Sequence, residues 1–185
     1  MKNPQLPAGL ADKNLEIYFH DGELKAIYQG KTQDFIELPG AIRDIFEVHL
    51  IRDTAAVHSL QHDMNILDGT DMLIQYVKCV FGGFDLNPDL RGTKTTPECW
   101  DCGYHGTCPG EGKVCKMPAG PMGVLSKREY QVAILAAKGK FDKEIAFELH
   151  LEESSVREYL KRVRCKVEAN NRIELMLWAQ RMGLI

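Results

Sequence analysis

No stretch of the chain approaches the roughly 20 consecutive apolar residues that a membrane-spanning helix needs. The opening residues Met1-Lys2-Asn3-Pro4-Gln5 lack the apolar core of a signal peptide. Neither a membrane protein nor a secreted one is expected, and the expected location is the cytoplasm. Net charge is only −3, so no chain-wide positive field marks a nucleic-acid binder. Catalytic motifs are scarce too. Asp21-Gly22 and Gly82-Gly83 read as turns, not phosphate loops, and no nucleophile–base arrangement stands out, so no enzymatic activity is expected. Internal repeats and low-complexity tracts are absent. What remains is a 185-residue chain, 44% hydrophobic and 26% charged. Such a composition suits a globular protein with one mid-sized domain or two small ones.

The charge is unevenly spread. Residues 124–185 hold 12 Lys/Arg and 9 Asp/Glu, while the rest holds 11 and 17. A mildly basic C-terminal part behind an acidic N-terminal part fits a DNA reader joined to a partner-binding or sensing region. The expected fold class is α+β. Residues 15–20 and 23–29 flank the turn signal Asp21-Gly22 and predict a β-hairpin, with a third short strand at 35–38. Helical spacing then predicts helices over 41–52, 54–64 and 71–81, the last capped by Asp68. Residues 87–97 are polar and rich in turn formers. Residues 1–98 are therefore read as an N-terminal α+β domain and 99–116 as a cysteine-rich segment. Residues 117–123, with two Pro and two Gly, are read as a linker.

The last segment, 124–185, is helical by pattern. Residues 127–137 carry Val132, Leu135 and Ala136 on one side, and Gly139 stops the run. Asp142 can cap residues 143–149, whose Ile145, Ala146 and Leu149 face inward. After a four-residue turn at 150–153, residues 154–166 place Val156, Leu160 and Val163 on one stripe. Two helices joined by so short a turn are the helix-turn-helix pattern. At 100° per residue, Arg157, Glu158, Lys161 and Arg164 lie opposite that stripe, a polar and largely basic face. An ordinary solvated face has the same periodicity, so the pattern alone leaves both readings open.

The residues in order go further. Leu125-Ser126-Lys127-Arg128-Glu129, Gly139, Lys143-Glu144-Ile145-Ala146, Leu149, Leu151, Ser155-Val156-Arg157, Lys166-Val167, Asn171-Arg172 and Gly183-Leu184-Ile185 resemble the LuxR/GerE-type helix-turn-helix without a gap over residues 125–185. The resemblance implies a transcription regulator that binds double-stranded DNA, as a homodimer. It makes residues 143–149 the scaffold helix and 154–166 the recognition helix. Ser155 stands where the family commonly has Thr and keeps the hydroxyl for a phosphate. Arg157 stands for the usual Lys and can fork onto guanine. Tyr159 replaces a frequent His and can still touch phosphate. Glu158 could accept from cytosine or pair with Arg162. Lys143, Ser154, Lys161, Arg162, Arg164 and Lys166 complete the expected DNA-contacting set. The fourth helix, 172–182, is apolar on two sides. Leu175, Trp178, Ala179 and Met182 form one face, and Ile173, Met176 and Leu177 point elsewhere, toward either a sister subunit or the N-terminal part.

Four of the six cysteines, Cys99, Cys102, Cys108 and Cys115, fall in one short glycine-containing stretch. Their spacing, Cys-x2-Cys followed by two single cysteines, predicts a four-thiolate structural zinc site. Cys79 with Cys99, Cys102 and Cys108 also resembles the spacing of WhiB-like iron–sulfur regulators, although the rest of their pattern is missing, so an iron–sulfur cluster is the alternative cofactor. His105 reads as an exposed loop residue or a substitute ligand, and Cys79 as a buried helix residue. His58 and His62, at i and i+4, read as ordinary helix histidines. A protein-interaction adaptor, with the acidic N-terminal part meeting a basic partner, is the competing function class. The dependence of DNA binding on salt separates the two.

Overall fold

The computed structural model describes residues 6–105 and 107–185. Residues 1–5, read above as lacking the apolar core of a signal peptide, and Gly106, within the glycine-containing cysteine stretch, lie outside the described residues. The fold is α+β. It divides into two compact units, Met1–Cys102 with Pro109–Lys116, and Gly103–Cys108 with Met117–Ile185.

The first unit opens with β1 (Leu15–His20) and β2 (Glu23–Tyr28), paired antiparallel as expected. Asp21 (φ 50°) and Gly22 (φ 87°) both occupy the left-handed region, the backbone a two-residue hairpin turn needs to match strand twist. Gln29 and Gly30 repeat the device at φ 52° and 75°. That second turn sends the chain straight back as β3 (Lys31–Asp34). The expected third strand at 35–38 is therefore displaced. It lies four residues earlier in the polar Lys-Thr-Gln-Asp run, and Phe35–Glu37 forms a 3-10 turn instead. Apolar content misplaced it, because β3 is an edge strand with no buried residue. Two short strands, β4 (Leu90–Arg91) and β5 (Lys94–Thr95), complete a sheet of order β3-β2-β1-β4-β5.

Three helices, α1 (Gly40–Arg52), α2 (Thr54–His62) and α3 (Gly69–Phe81), cover this sheet. Asp68 caps α3 by accepting from the N–H groups of Thr70 and Asp71. Phe35, Phe46 and Phe81 meet edge to face, with centroids 5.7 and 5.1 Å apart, among buried Leu15, Ile17, Tyr76 and Val80. Each such ring pair contributes roughly 0.5–1.5 kcal/mol beyond area burial. Residues 109–116 join this core through fully buried Val114. Lys113 pairs with Asp63 at 2.7 Å and Lys116 with Asp53 at 2.6 Å. This part of the cysteine-rich segment thus has apolar and ionic anchors of its own, which its polar composition hid.

The second unit contains four helices, α4 (Lys127–Ala137), α5 (Asp142–Leu149), α6 (Glu153–Val167) and α7 (Arg172–Arg181). Residues 117–123, read as a linker, belong to this unit. They form β6 (Ala119–Gly120) and, with Val124, β7 (Gly123–Val124), a hairpin against α6. A Cβ on Gly120 would lie 2.2 Å from the Lys166 carbonyl oxygen, so only glycine lets the hairpin approach this closely.

Candidate nucleic-acid interface

Helix α6, expected above to be the recognition helix, is positioned from beneath by apolar contacts. Val156, Leu160, Val163 and Val167 of α6 are buried, as are Tyr130, Val132 and Ala136 of α4 and Ile145 of α5, the two helices α6 packs against. The stripe expected from spacing is the stripe observed, with Val167 adding a last turn. Burying each aliphatic side chain stabilises by roughly 1.5–3 kcal/mol, which sets the rotation of α6 about its axis. Its opposite face is thereby directed to solvent.

Polar contacts lock the ends. Ser126 and Glu129 form a reciprocal capping box at the start of α4. The Glu129 carboxylate, only 4% exposed, also accepts from the Lys166 ammonium at 2.7 Å, and Lys166 donates to the Val124 carbonyl at 3.0 Å. Burial works to raise the Glu129 carboxyl, but the Lys166 and Ser126 hydrogen bonds outweigh it and hold the group below its ordinary range. Lys166, expected at DNA, is therefore engaged inside the unit. Arg172 is the second lock. Its guanidinium donates to the carbonyls of Ala136 and Lys140 and to Asp142 Oδ1, tying the end of α4 to the start of α5. Sequence reading missed this role, although an Arg opening a helix beside unsatisfied carbonyls of another is the available signal.

The start of α5 differs from expectation. Asp142 is inside the helix, facing Arg172, and Phe141 occupies the N-cap position. Phenylalanine has no side-chain acceptor, so only the reverse half of the box exists, with Glu144 accepting from the Phe141 N–H at 2.7 Å. His150, in the left-handed region at φ 52°, closes α5, and α6 begins at Glu153. The connection between the helices is short, as expected.

The exposed face of α6 carries Ser154, Arg157, Glu158, Lys161 and Arg162, with Ser155, Tyr159 and Arg164 half-buried at its margins. Lys143 is exposed on α5. Arg157 lies 3.6 Å from Glu153, an exposed i,i+4 pair that phosphate or a base can displace cheaply. The expected Glu158–Arg162 pair does not form among the described residues. The Arg162 guanidinium instead sits over the Tyr159 ring, 5.8 Å from its centroid. Ser154, Ser155, Glu158, Tyr159 and Arg162 line a shallow notch of about 260 Å³. Hydroxyls, guanidinium groups and an ammonium on one rigid convex helix form a surface that can contact phosphates and base edges.

Residues 123–179 match the family described as "Bacterial regulatory proteins, luxR family". This segment is a luxR-family helix-turn-helix domain. The match does not extend into the N-terminal unit. The "Uncharacterized transcriptional regulatory protein YvfU" of Bacillus subtilis (strain 168) is 39% identical over 61 residues. That is 33% of this chain and 30% of the relative, so the similarity spans less than a third of the relative's length.

On α7 of the luxR-family domain, Leu175, Trp178 and Ala179 are buried as one face. Ile173 is 66% and Leu177 47% exposed, so the second apolar side is left outside the core. Met182, expected with the buried face, caps the helix end and is exposed.

The cysteines are distributed between the units. Cys99, Cys102 and Cys115 belong to the first, where burial, then the nearby Cys115 and Cys102, pushes the Cys99 thiol up to about 12. Cys108 belongs to the second, where its N–H donates to the Tyr104 carbonyl. Among the described residues no group of three or more His, Cys, Asp or Glu side chains is arranged to hold a metal ion. His105 is not the exposed loop residue expected. It is half-buried against the Tyr130 ring, 4.6 Å between centroids. Cys79, on α3, is half-buried and accepts from Gln75, Cys165 is exposed, and the His58 and His62 rings lie 4.4 Å apart, tilted by 42°.

No helix of the described residues is long and apolar enough to cross a membrane.

Proposed function

We propose that this protein is a sequence-specific, DNA-binding transcription regulator that reads the major groove with α6. The observation carrying the proposal is the polar, mainly basic face of α6, held outward by a fully apolar opposite face inside a luxR-family domain. Arg157 is the base-reading residue, since its planar fork matches guanine and only an exposed glutamate competes for it. Lys161, Arg162 and Arg164, with Lys143 on α5, contact phosphates, and the Ser154, Ser155 and Tyr159 hydroxyls add donors that position the helix. Binding to random duplex DNA across salt concentrations tests this reading. A DNA reader gives log affinity falling linearly with log salt, whereas a protein-interaction adaptor gives no such slope.

The working form is a homodimer joined through the exposed side of α7, where Ile173 and Leu177 supply apolar area that one subunit's core does not use. The cysteine-rich segment takes one structural zinc ion on Cys99, Cys102, Cys108 and Cys115. Support comes from the chemistry of the donors, four soft thiols opening on a Cys-x2-Cys pair. Metal binding and ordering of the segment would then be one coupled event.

A further inference from the structure

The first unit contains a groove that the DNA reading leaves unused. It has a volume of about 780 Å³ and runs along one face of α1, with the α1–α2 bend at its end and Thr93 of the β4–β5 turn on its far side. Ile45, Val48, His49 and Arg52 line it from α1 together with Asp44, at one, four, five and eight residues after it, which places all five on a single helical face. The middle is apolar, formed by Ile45 and by Val48, 45% exposed. The ends are charged and of opposite sign.

Three details define what this surface can hold. Among the described residues, neither the Asp44 carboxylate nor the Arg52 guanidinium makes an ion pair. The other charged pair in the lining, Lys116 and Asp53, is satisfied internally at 2.6 Å, and Asp53 also caps α2. His49 is anchored from behind by fully buried Tyr76, 2.7 Å from Nδ1 to the phenol oxygen. Burial, helped by Lys116 and Arg52, holds its imidazole below the usual histidine range. In the tautomer where the Tyr76 hydroxyl donates to Nδ1, Nε2–H is a donor beside Arg52. Two helical turns separate Asp44 from Arg52, about 12 Å between their Cα atoms at 1.5 Å rise per residue.

We propose that this groove binds a small zwitterion whose carboxylate and ammonium are separated by an apolar stretch, an ω-amino acid or short peptide. The carboxylate lies on Arg52 with His49 donating beside it, the apolar body lies on Ile45 and Val48, and the ammonium lies on Asp44. An α-amino acid is too short to reach both charges. The groove lies wholly within the first unit, so the site stands or falls independently of the DNA reading.

The test is a ligand-observed NMR titration of the full-length protein with a series of zwitterions from glycine to 8-aminooctanoate. Hexanoate and hexylamine serve as single-charge comparators. The site predicts an optimum near 6-aminohexanoate, with affinity at least about tenfold above either comparator. Arg52→Ala and Asp44→Ala, both at exposed positions where the fold tolerates change, should each reduce 6-aminohexanoate to the level of the comparator lacking the matching charge. Circular dichroism confirms that each variant is folded. No binding by any member of the series, equal binding of hexanoate and 6-aminohexanoate, or unchanged binding in both variants would overturn the proposal.

Discussion

Glu129, at the start of the first helix of the luxR-family domain, and Lys166, near the end of α6, form an ion pair of 2.7 Å around a carboxylate that is almost fully buried. The pair joins two helix ends 37 residues apart in sequence. Lys166→Met should leave a buried, half-satisfied carboxylate and destabilise the domain by about 1–3 kcal/mol. The wild-type contribution has a definite pH sign. The folded carboxyl is depressed below its usual 4.5, so the stabilisation is present above that value and is lost as pH falls through the lower folded one. Urea unfolding of wild type and variant between neutral pH and about pH 3 checks this, with the gap between them closing in acid.

The N-terminal unit should show the opposite sign. Glu16 is 1% exposed, with one oxygen accepting from the Asp85 N–H and the other without a partner. Asp89, 2% exposed, accepts from the Ile17 N–H at 2.6 Å. Burial, followed by the neighbouring carboxylates, pushes Glu16 up to about 8 and Asp89 up to about 10. Acids raised on folding contribute stability below their unfolded values and lose it as pH rises through the folded ones. The unit should therefore weaken steadily from mild acid to alkaline pH. Glu16→Gln, which preserves the acceptor, should flatten that decline and stabilise by about 1–3 kcal/mol near pH 8. The two tryptophans fall one in each unit, so Trp100 fluorescence in a Trp178→Phe background follows this transition alone.

For the dimer, Leu177→Glu places a charge on the exposed side of α7 without touching buried Leu175, Trp178 or Ala179. It should leave thermal stability within about 0.5 kcal/mol of wild type and abolish cooperative binding to an operator with two half-sites. Sedimentation of both proteins at micromolar concentration checks it. A wild type that is monomeric alone and also binds DNA singly contradicts the dimer.

For the metal, elemental analysis of protein purified without oxygen should find one zinc per chain. A strong chelator, or Cys→Ser at any of Cys99, Cys102, Cys108 and Cys115, should loosen the segment before residue 117 while the helix-turn-helix stays folded. Iron with sulfide, or no metal with readily alkylated thiols, contradicts the zinc reading.

Much of the helix-turn-helix was legible because each helix repeats one apolar stripe over a dedicated core. The spacing of Val156, Leu160 and Val163 specifies both the helix and its outward face. The capping box of Ser126 and Glu129 is similarly local. What escaped reading was non-local or negative. The engagement of Lys166 with Glu129 depends on a contact between distant residues, and Arg172 acts on carbonyls of another helix. The edge strand β3 contains no apolar residue to announce it. Val114 looks like a stray apolar residue in a polar segment, yet it is fully buried in the core of the first unit. The groove face of α1 mixes charged and apolar residues that periodicity averages away.

The central claim is that the outward face of α6 reads DNA, and equilibrium binding of wild type, Arg157→Ala, Lys161→Ala and the double variant tests it most directly. The measurement uses a genome-mapped site and a random duplex across a salt series. Arg157→Ala should cost about 1–3 kcal/mol on the mapped site and relax its specificity, with little effect on random DNA. Lys161→Ala should weaken both duplexes alike and reduce the salt slope by about one. Wild-type affinity in the double variant, or binding by the wild type that is independent of salt, would contradict the account.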